Sequence, residues 1–179
     1  ASALERKDFC EFIKTIESGF DILINNAGIG LFGALEDLSE EQMRQQFEVN
    51  FLGLALLTRD LLPTLRKTKG QIFNFSSVLG VTAFPLASFY CASKFALEGF
   101  TESLRFELAP HGIQVCLIEP GSYRTQFGNN MSWGSNYNSN SPYGVQSENY
   151  QKFRNRLSTR PRFQKPQEVT LGVLNLSRK

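Results

Sequence analysis

The sequence has 179 residues, of which 41% are hydrophobic and 20% are charged. This composition is typical of a soluble globular protein with one cored domain. The net charge is only +2, and no basic stripe with interleaved aromatic residues is present, so nucleic acid is not expected as a partner. The longest apolar run, Phe51 to Leu57, is far shorter than the roughly 20 residues of a membrane span, so none is expected.

The cysteines and the histidine point to no metal site. Cys10, Cys91 and Cys116 form no C-x-x-C pair, and His111, the only histidine, lies in a predicted turn. Reduced, mostly buried thiols are typical of a reducing compartment, so we expect a cytoplasmic protein without a bound metal.

Apolar segments alternate between helical and strand-like patterns along the chain. The patterns predict helices over residues 5–17, 39–66 and 88–109, and strands over residues 21–25, 71–76 and 113–119. This alternation predicts an α/β fold with a doubly wound, Rossmann-like parallel sheet, whose strands are covered on both faces, as one domain over residues 1–179. Ligands of such sheets bind beyond the carboxyl ends of the strands.

Gly28-Ile29-Gly30-Leu31-Phe32-Gly33 matches the G-x-G-x-x-G pattern of a phosphate-binding loop. That function requires a helix to open directly on the glycines. Ser39-Glu40-Glu41-Gln42 instead has the pattern of a capping box, which predicts that the next helix begins later. We therefore expect no pyrophosphate site in this loop.

Tyr90 and Lys94 lie four residues apart in a predicted helix. Residues with this spacing share one helix face, and an ammonium group near a phenol favours the phenolate and lowers its pKa. The pair can therefore serve acid–base chemistry, although an isolated Y-x-x-x-K match is more often part of a solvated surface.

Other segments place this pair in a wider pattern. Asn25-Asn26-Ala27-Gly28 follows the first predicted strand, Asn50 lies in the next helix, Ser77 precedes Tyr90 by thirteen residues, and Pro120-Gly121 leads to Thr125. In this order the segments resemble the N-N-A-G, S…Y-x-x-x-K and P-G-x-x-x-T motifs of the short-chain dehydrogenase/reductase family. The resemblance is good over residues 5–125. The family's T-G-x-x-x-G-x-G turn is not among these residues, so we expect the fold as given to be incomplete at both ends.

The resemblance implies a role for each matching residue. Tyr90 would be the acid or base, Ser77 would orient the substrate oxygen, Lys94 would lower the Tyr90 pKa and bind the nicotinamide ribose, and Asn50 would hold a water of the proton relay. The cofactor-binding residues implied are Asn26, Ala27, Gly28, Tyr90, Lys94, Pro120, Gly121 and Thr125. The cofactor would be NAD or NADP, without a stated preference. Taken singly, Ser77 and Asn50 also fit structural roles, in a turn or bonding local backbone.

Residues 127–160 are rich in Asn, Ser and Gly and are expected to form a loop, which the resemblance makes the substrate lid. Large apolar side chains around it, Phe84, Phe127, Met131 and Trp133, would line a substrate pocket; they could equally anchor the loop. After it, residues from Lys165 onward have the pattern of a further helix.

The resemblance implies an enzyme, an NAD(P)-dependent alcohol dehydrogenase or carbonyl reductase that interconverts a small hydrophobic alcohol and its carbonyl form. Two alternatives stay open: a non-catalytic or cofactor-sensing binding protein with the same fold, and a related lyase or epimerase. Apolar side chains in residues 51–57 and at Phe95, Phe100 and Phe106 predict a homodimer or homotetramer.

Overall fold

The computed structural model describes residues 3–121, 123, 125–158 and 165–177. Its helices are α1 (Ala3–Lys14), α2 (Glu40–Phe47), α3 (Gly53–Thr68), α4 (Ser88–Leu108), α5 (Gly144–Ser158) and α6 (Pro166–Ser177). Its strands are β1 (Ile22–Asn25), β2 (Gly30–Phe32), β3 (Gln71–Phe75), β4 (Gln114–Ile118) and β5 (Met131–Trp133).

The main sheet has the strand order β1-β3-β4, and both pairings are parallel. Helices α2 and α3 connect β1 to β3, and α4 connects β3 to β4, because neighbouring parallel strands require a crossover connection. The predicted α/β fold with a parallel sheet is confirmed. The core beneath the sheet is a cluster of buried side chains from α3, β3, α4 and β4: Leu65, Ile72, Leu104, Leu108, Ile113 and Val115.

One face of β1 is exposed among the described residues. Ile22 and Ile24 are 40% and 51% exposed, whereas Asn25 on the other face is buried. Successive side chains of a strand point to opposite faces. Within the described residues, helices therefore cover β1 on one face only.

The predicted helix over residues 39–66 is present but is not one uniform helix. Ser39 caps α2 as predicted: its Oγ accepts from the Gln42 backbone N–H, and Gln42 Oε1 accepts from the Ser39 N–H, both at 3.2 Å. Between α2 and α3, Glu48–Leu52 form a π-helical turn. Such turns are often found at functional sites, and this one contains Asn50.

Residues 127–158 are only in part the loop predicted from their composition. They contain β5 and the fifteen-residue helix α5, and residues 159–160 lie outside the described part of the chain. Strand β5 pairs in parallel with β2, so that Gly30 lies opposite Met131 and Phe32 opposite Trp133. The sequence did not reveal this because β5 has only three residues and its partner lies about a hundred residues earlier.

The glycine-rich segment after β1 is a strand and not a phosphate loop. Gly30 begins β2, Gly33 follows it with a φ of 137°, and α2 starts only at Glu40. A β-carbon on Gly30 would lie 2.7 Å from the Phe32 ring and 3.2 Å from the Phe127 ring. The glycine is therefore needed for close aromatic packing, and the predicted late start of the next helix is confirmed.

Across the described part of the chain, no helix combines the length and the apolar character needed to cross a bilayer.

Candidate active site

The carboxyl ends of the three main strands open onto one edge of the sheet. Asn26 follows β1, Ser77 follows β3, and Pro120 follows β4. Two backbone hydrogen bonds hold the last two segments together, from Ser76 N to Ile118 O at 2.8 Å and from Val78 N to Pro120 O at 3.3 Å. The structure thus brings these predicted residues to a common edge.

Ser77 and Tyr90 contact each other at this edge, and both are buried. Ser77 has an extended backbone, and its Oγ accepts from Leu79 N at 3.1 Å, which caps a short 3-10 turn. Burial raises the pKa of the Tyr90 phenol, and the contact with the Ser77 hydroxyl opposes this by lowering it. Because burial is the larger effect, the phenol is protonated at neutral pH, the form that can donate a proton.

Lys94 lies one helical turn beyond Tyr90 and is 5% exposed. Its Nζ donates to the carbonyl oxygen of Phe75, the last residue of β3, at 2.8 Å. Burial lowers the pKa of Lys94 to about 8, and the nearby Glu98 carboxylate opposes that shift. The predicted lowering of the Tyr90 pKa by Lys94 is not seen here, because the ammonium group bonds to the end of β3 and burial dominates at Tyr90.

Glu98 is a neighbour of Lys94 that the sequence analysis missed. It lies four residues further along α4, and burial raises the pKa of its carboxyl, an effect that the contact with Ser76 opposes. A β-carbon on Gly80 would lie 2.6 Å from Ser76 Oγ and 2.7 Å from Glu98 Oε1, so the glycine leaves room for both. Glu98 could have been predicted as a neighbour of Lys94, because residues four apart share one face of a helix.

Asn50 is fully buried in the π-helical turn and bonds to a distant segment. Its Oδ1 accepts from Ile29 N, and its Nδ2 donates to Ile29 O, both at 2.9 Å, and to Ser93 Oγ at 3.2 Å. Ser93 Oγ in turn donates to Tyr90 O at 2.8 Å. Asn50 therefore joins the segment after β1 to the helix that carries Tyr90; its predicted water-holding role stays a prediction.

The N-N-A-G turn passes beside the Asn50 amide and the Lys94 ammonium group. A β-carbon on Gly28 would lie 3.5 Å from Asn50 Oδ1 and 3.9 Å from Lys94 Nζ. Asn26 and Ala27 are exposed at the edge of the sheet, where a ligand can contact them.

The segment after β4 is less closely packed. Gly121 and Thr125 are exposed, and Thr125 Oγ1 accepts from Phe127 N at 3.2 Å, which caps the 3-10 turn Gln126–Asn130. Ser122 and Arg124, within the P-G-x-x-x-T motif, lie outside the described residues.

Large apolar side chains lie next to Tyr90 at the carboxyl edge of the sheet. Phe127, Met131 and Trp133 pack against the buried cluster of Phe32 and Tyr90. The ring centroids of Phe32 and Tyr90 are 5.6 Å apart and those of Tyr90 and Phe127 are 6.0 Å apart. Three of the four predicted pocket residues thus pack against the cluster that contains Tyr90.

Phe84 joins the aromatic wall through Tyr150 of α5, which was not among the predicted pocket residues. The Tyr150 ring lies 5.7 Å from both Phe84 and Trp133 and stacks on Phe32 at 5.9 Å. We define the aromatic wall by these side chains: Phe32, Phe84, Phe127, Met131, Trp133 and Tyr150. The sequence analysis missed Tyr150 because it predicted a loop where the structure has α5.

No cluster of His, Cys, Asp and Glu suited to a metal ion occurs among residues 3–121, 123, 125–158 and 165–177.

Comparison with known proteins defines the class to which this fold and site belong. The short chain dehydrogenase family model matches residues 2–135. The chain is 54% identical over 106 residues to the uncharacterized oxidoreductase YusZ of Bacillus subtilis, covering 59% of this chain and 38% of that protein. It is 44% identical over 123 residues to a 3-ketodihydrosphingosine reductase of Bacteroides thetaiotaomicron, covering 68% and 46%. This chain therefore belongs to the short chain dehydrogenase family.

Solved structures show the same fold. A short-chain dehydrogenase from Streptomyces avermitilis superposes with a TM-score of 0.75 at 33% identity, over 86% of this chain and 58% of that one. ElxO, solved with NADP bound, superposes with a TM-score of 0.63 at 30% identity, over 70% and 53%. The chain spans about two fifths of the length of the two curated relatives described above.

Proposed function

We propose that this protein is an NAD(P)-dependent oxidoreductase that interconverts a hydrophobic secondary alcohol and its ketone, or a primary alcohol and its aldehyde. One observation carries the proposal. The buried Tyr90 phenol contacts the Ser77 hydroxyl at the carboxyl edge of a parallel sheet, with the buried Lys94 one turn further along the same helix.

The residues divide the chemistry as follows. As the phenol, the form that burial favours, Tyr90 donates its proton to the substrate oxygen during carbonyl reduction. In alcohol oxidation Tyr90 must first lose that proton, and the phenolate then accepts the proton of the alcohol. Ser77 holds the substrate oxygen next to the phenol and stabilises the charge that develops there. Lys94, with a pKa of about 8, is close enough to neutrality to exchange protons with solvent or with a relay through Asn50.

The residues at the sheet edge suit a nicotinamide cofactor. Lys94 keeps two ammonium protons beyond the one donated to Phe75 O, and Asn26, Ala27 and Gly121 are exposed at the same edge of the sheet. By similarity to the family, Gly28, Tyr90, Lys94, Pro120 and Thr125 complete this set. NAD or NADP would supply or accept the hydride, and the NADP bound to ElxO supports this choice of cofactor.

The aromatic wall supports an apolar substrate. Tyr150 stacks on Phe32, and the Phe127 ring is tilted against Tyr90; these rings would contact the hydrocarbon part of an alcohol while its oxygen reaches Ser77. The similar 3-ketodihydrosphingosine reductase is named for a ketone substrate, which agrees with this proposal.

Replacement of Tyr90 by Phe tests the proposal. We expect Tyr90→Phe to keep its fold and its affinity for NAD or NADP, measured by calorimetry, and to lose at least about a hundredfold in kcat, the usual contribution of a general acid. Tyr143→Phe is the control, because the Tyr143 hydroxyl bonds to Glu36, away from Ser77. Cofactor binding without any turnover in the wild-type protein would contradict the proposal and support the non-catalytic alternative.

We also propose that α3 and α4 pair with a second copy in a homodimer or homotetramer. Phe95 and Phe106 on α4 are 46% and 82% exposed, and Leu52 before α3 is 44% exposed. Burying these side chains would stabilise a dimer. Sedimentation of Phe106→Glu should show dissociation relative to the wild type, and a monomeric wild type would contradict the proposal.

A further inference from the structure

Three amide side chains follow one face of the helix before the active site. Gln42, Gln46 and Asn50 are spaced by four residues from α2 into the π-helical turn. Gln46 is fully buried; its Oε1 accepts from Leu31 N at 2.7 Å, and its Nε2 donates to Ile29 O at 3.0 Å. Gln46 therefore bonds the helix to β2, and Asn50 bonds it to Ile29, the residue directly before β2.

Gln42 forms hydrogen bonds with the end of strand β5, the partner of β2. Its Nε2 donates to Trp133 O at 3.0 Å, and its Oε1 accepts from Ser135 N at 2.9 Å and from Ser39 N at 3.2 Å. The two ends of this amide thus have different tasks. The Oε1 atom accepts the hydrogen bonds that stabilise the start of α2 and the turn after β5. Only the Nε2 atom bonds to Trp133, at its carbonyl oxygen.

The bond to Trp133 O acts next to the aromatic wall. Met131 and Trp133 are two residues apart in β5 and so point to the same side, where both pack against the cluster that contains Phe32 and Tyr90. Further along, Gly134 N donates to Phe32 O at 2.9 Å and Asn136 N to Asp37 O at 3.0 Å, which fixes the backbone beyond the tryptophan. Loss of the Gln42 bond is therefore expected to shift Trp133 without releasing the strand.

We infer that Gln42 is a positioning residue that sets the place of Trp133 in the aromatic wall, and thereby the size of apolar group that fits beside Tyr90. The inference rests on the proposed function for its effect on substrate. A glutamine suits this place because it both donates and accepts, whereas a glutamate accepts only and would place its negative charge against the Trp133 carbonyl.

Gln42→Glu separates the two tasks, because it keeps an acceptor for Ser39 N and Ser135 N and loses the donor to Trp133 O. Trp133 is the only tryptophan of the sequence, so its fluorescence reports its position, and Trp133→Phe provides the background. We expect Gln42→Glu to move the emission to longer wavelength and to increase quenching by acrylamide. For a bulky alcohol, KM should rise about tenfold with kcat little changed, the scale of one lost, partly buried hydrogen bond.

Two variants serve as controls. Gln45→Glu makes the same chemical change at an exposed position of α2 and should leave both the emission and KM unchanged. Ser39→Ala removes the capping hydroxyl but leaves the Gln42 bond to Trp133, so it should lower thermal stability without a shift in emission.

Unchanged fluorescence of Gln42→Glu, or an equal shift in Ser39→Ala, would overturn the inference. If Gln42→Glu does not fold, Gln42→Asn, which keeps both amide groups on a shorter side chain, replaces it with the same expected shift and the same overturning result. Failure of the proposed function would show instead as a wild-type protein without turnover, and the fluorescence comparison needs no turnover.

Discussion

Asn25 and Asn74 lie directly opposite each other on the parallel strands β1 and β3, and Asn25 Nδ2 donates to Asn74 Oδ1 at 2.8 Å. The line of bonds continues on both sides of this pair. Asn25 Nδ2 also donates to Thr58 Oγ1 at 3.0 Å, and Asn74 Nδ2 donates to Thr101 Oγ1 at 2.9 Å. Helices α3 and α4 are thus joined to the sheet by buried polar groups beneath the site, and the first asparagine of N-N-A-G is structural.

We expect Asn74→Ala to lower the free energy of unfolding by about 2 kcal/mol, because it breaks two buried hydrogen bonds and leaves a cavity. Chemical denaturation measures the change. Gln71→Ala is the control on the same strand: Gln71 bonds to Gln114 across the register at an exposed position, and its loss should cost less than about 0.5 kcal/mol. Equal losses in both variants would contradict a stabilising role for the buried line.

The burial of Lys94 predicts a pH dependence of stability. Its pKa is about 8 in the folded protein, against 10.5 for an unperturbed lysine. Between these values the unfolded chain binds a proton that the folded protein has released, so this group makes stability rise with pH, by roughly 3 kcal/mol in all. The stability gained by deprotonating Lys94 is complete above pH 10.5, the pKa of an unperturbed lysine, and is lost as the pH falls through the folded-state pKa of about 8.

Lys94→Met removes this contribution. Because Cys10, Cys116 and Tyr90 have raised pKa values and make stability fall with pH in the same alkaline range, the informative quantity is the wild-type minus Lys94→Met difference. We expect this difference in unfolding free energy to increase from pH 8 to pH 10.5. A constant difference would show that the lysine is not desolvated.

Gly70 and Gly99 should respond oppositely to alanine. A β-carbon on Gly70 would lie 2.5 Å from Asp21 O and 2.8 Å from Leu65 Cδ2, so Gly70→Ala should lower the free energy of unfolding by about 2 kcal/mol or more. Gly99 lies within α4 with no atom within 4 Å of a new β-carbon, so Gly99→Ala should raise it by about 0.5–1 kcal/mol. Thermal denaturation under identical conditions tests both.

Tyr150 is expected to limit the size of the substrate. Tyr150→Leu removes the ring that stacks on Phe32 and contacts Trp133, so the ratio of kcat/KM for a bulky over a small alcohol should rise about tenfold. Tyr137→Leu alters the ring that meets Trp133 edge-on, 6.3 Å away, and should leave the ratio unchanged. A similar change in both variants would mean that the wall responds to any loss of aromatic packing.

Much of the frame could be predicted from the sequence because local rules govern it. The periods of apolar residues located the main strands and helices, and Ser39 with Gln42 located a helix start through bonds that span three residues. The parallel order then brought the ends of β1, β3 and β4 to one edge, which placed Asn26, Ser77 and Pro120 together.

What the sequence by itself determined is therefore the βαβ framework and the set of residues that meet at its edge. Only the tertiary structure decided the pairing of β2 with β5, the place of Tyr150 over Phe32, and the partner of Lys94. These features depend on contacts between segments far apart in the chain and on how completely each group is removed from water. Desolvation sets the pKa values of Tyr90 and Lys94, and it is a property of everything packed around a side chain.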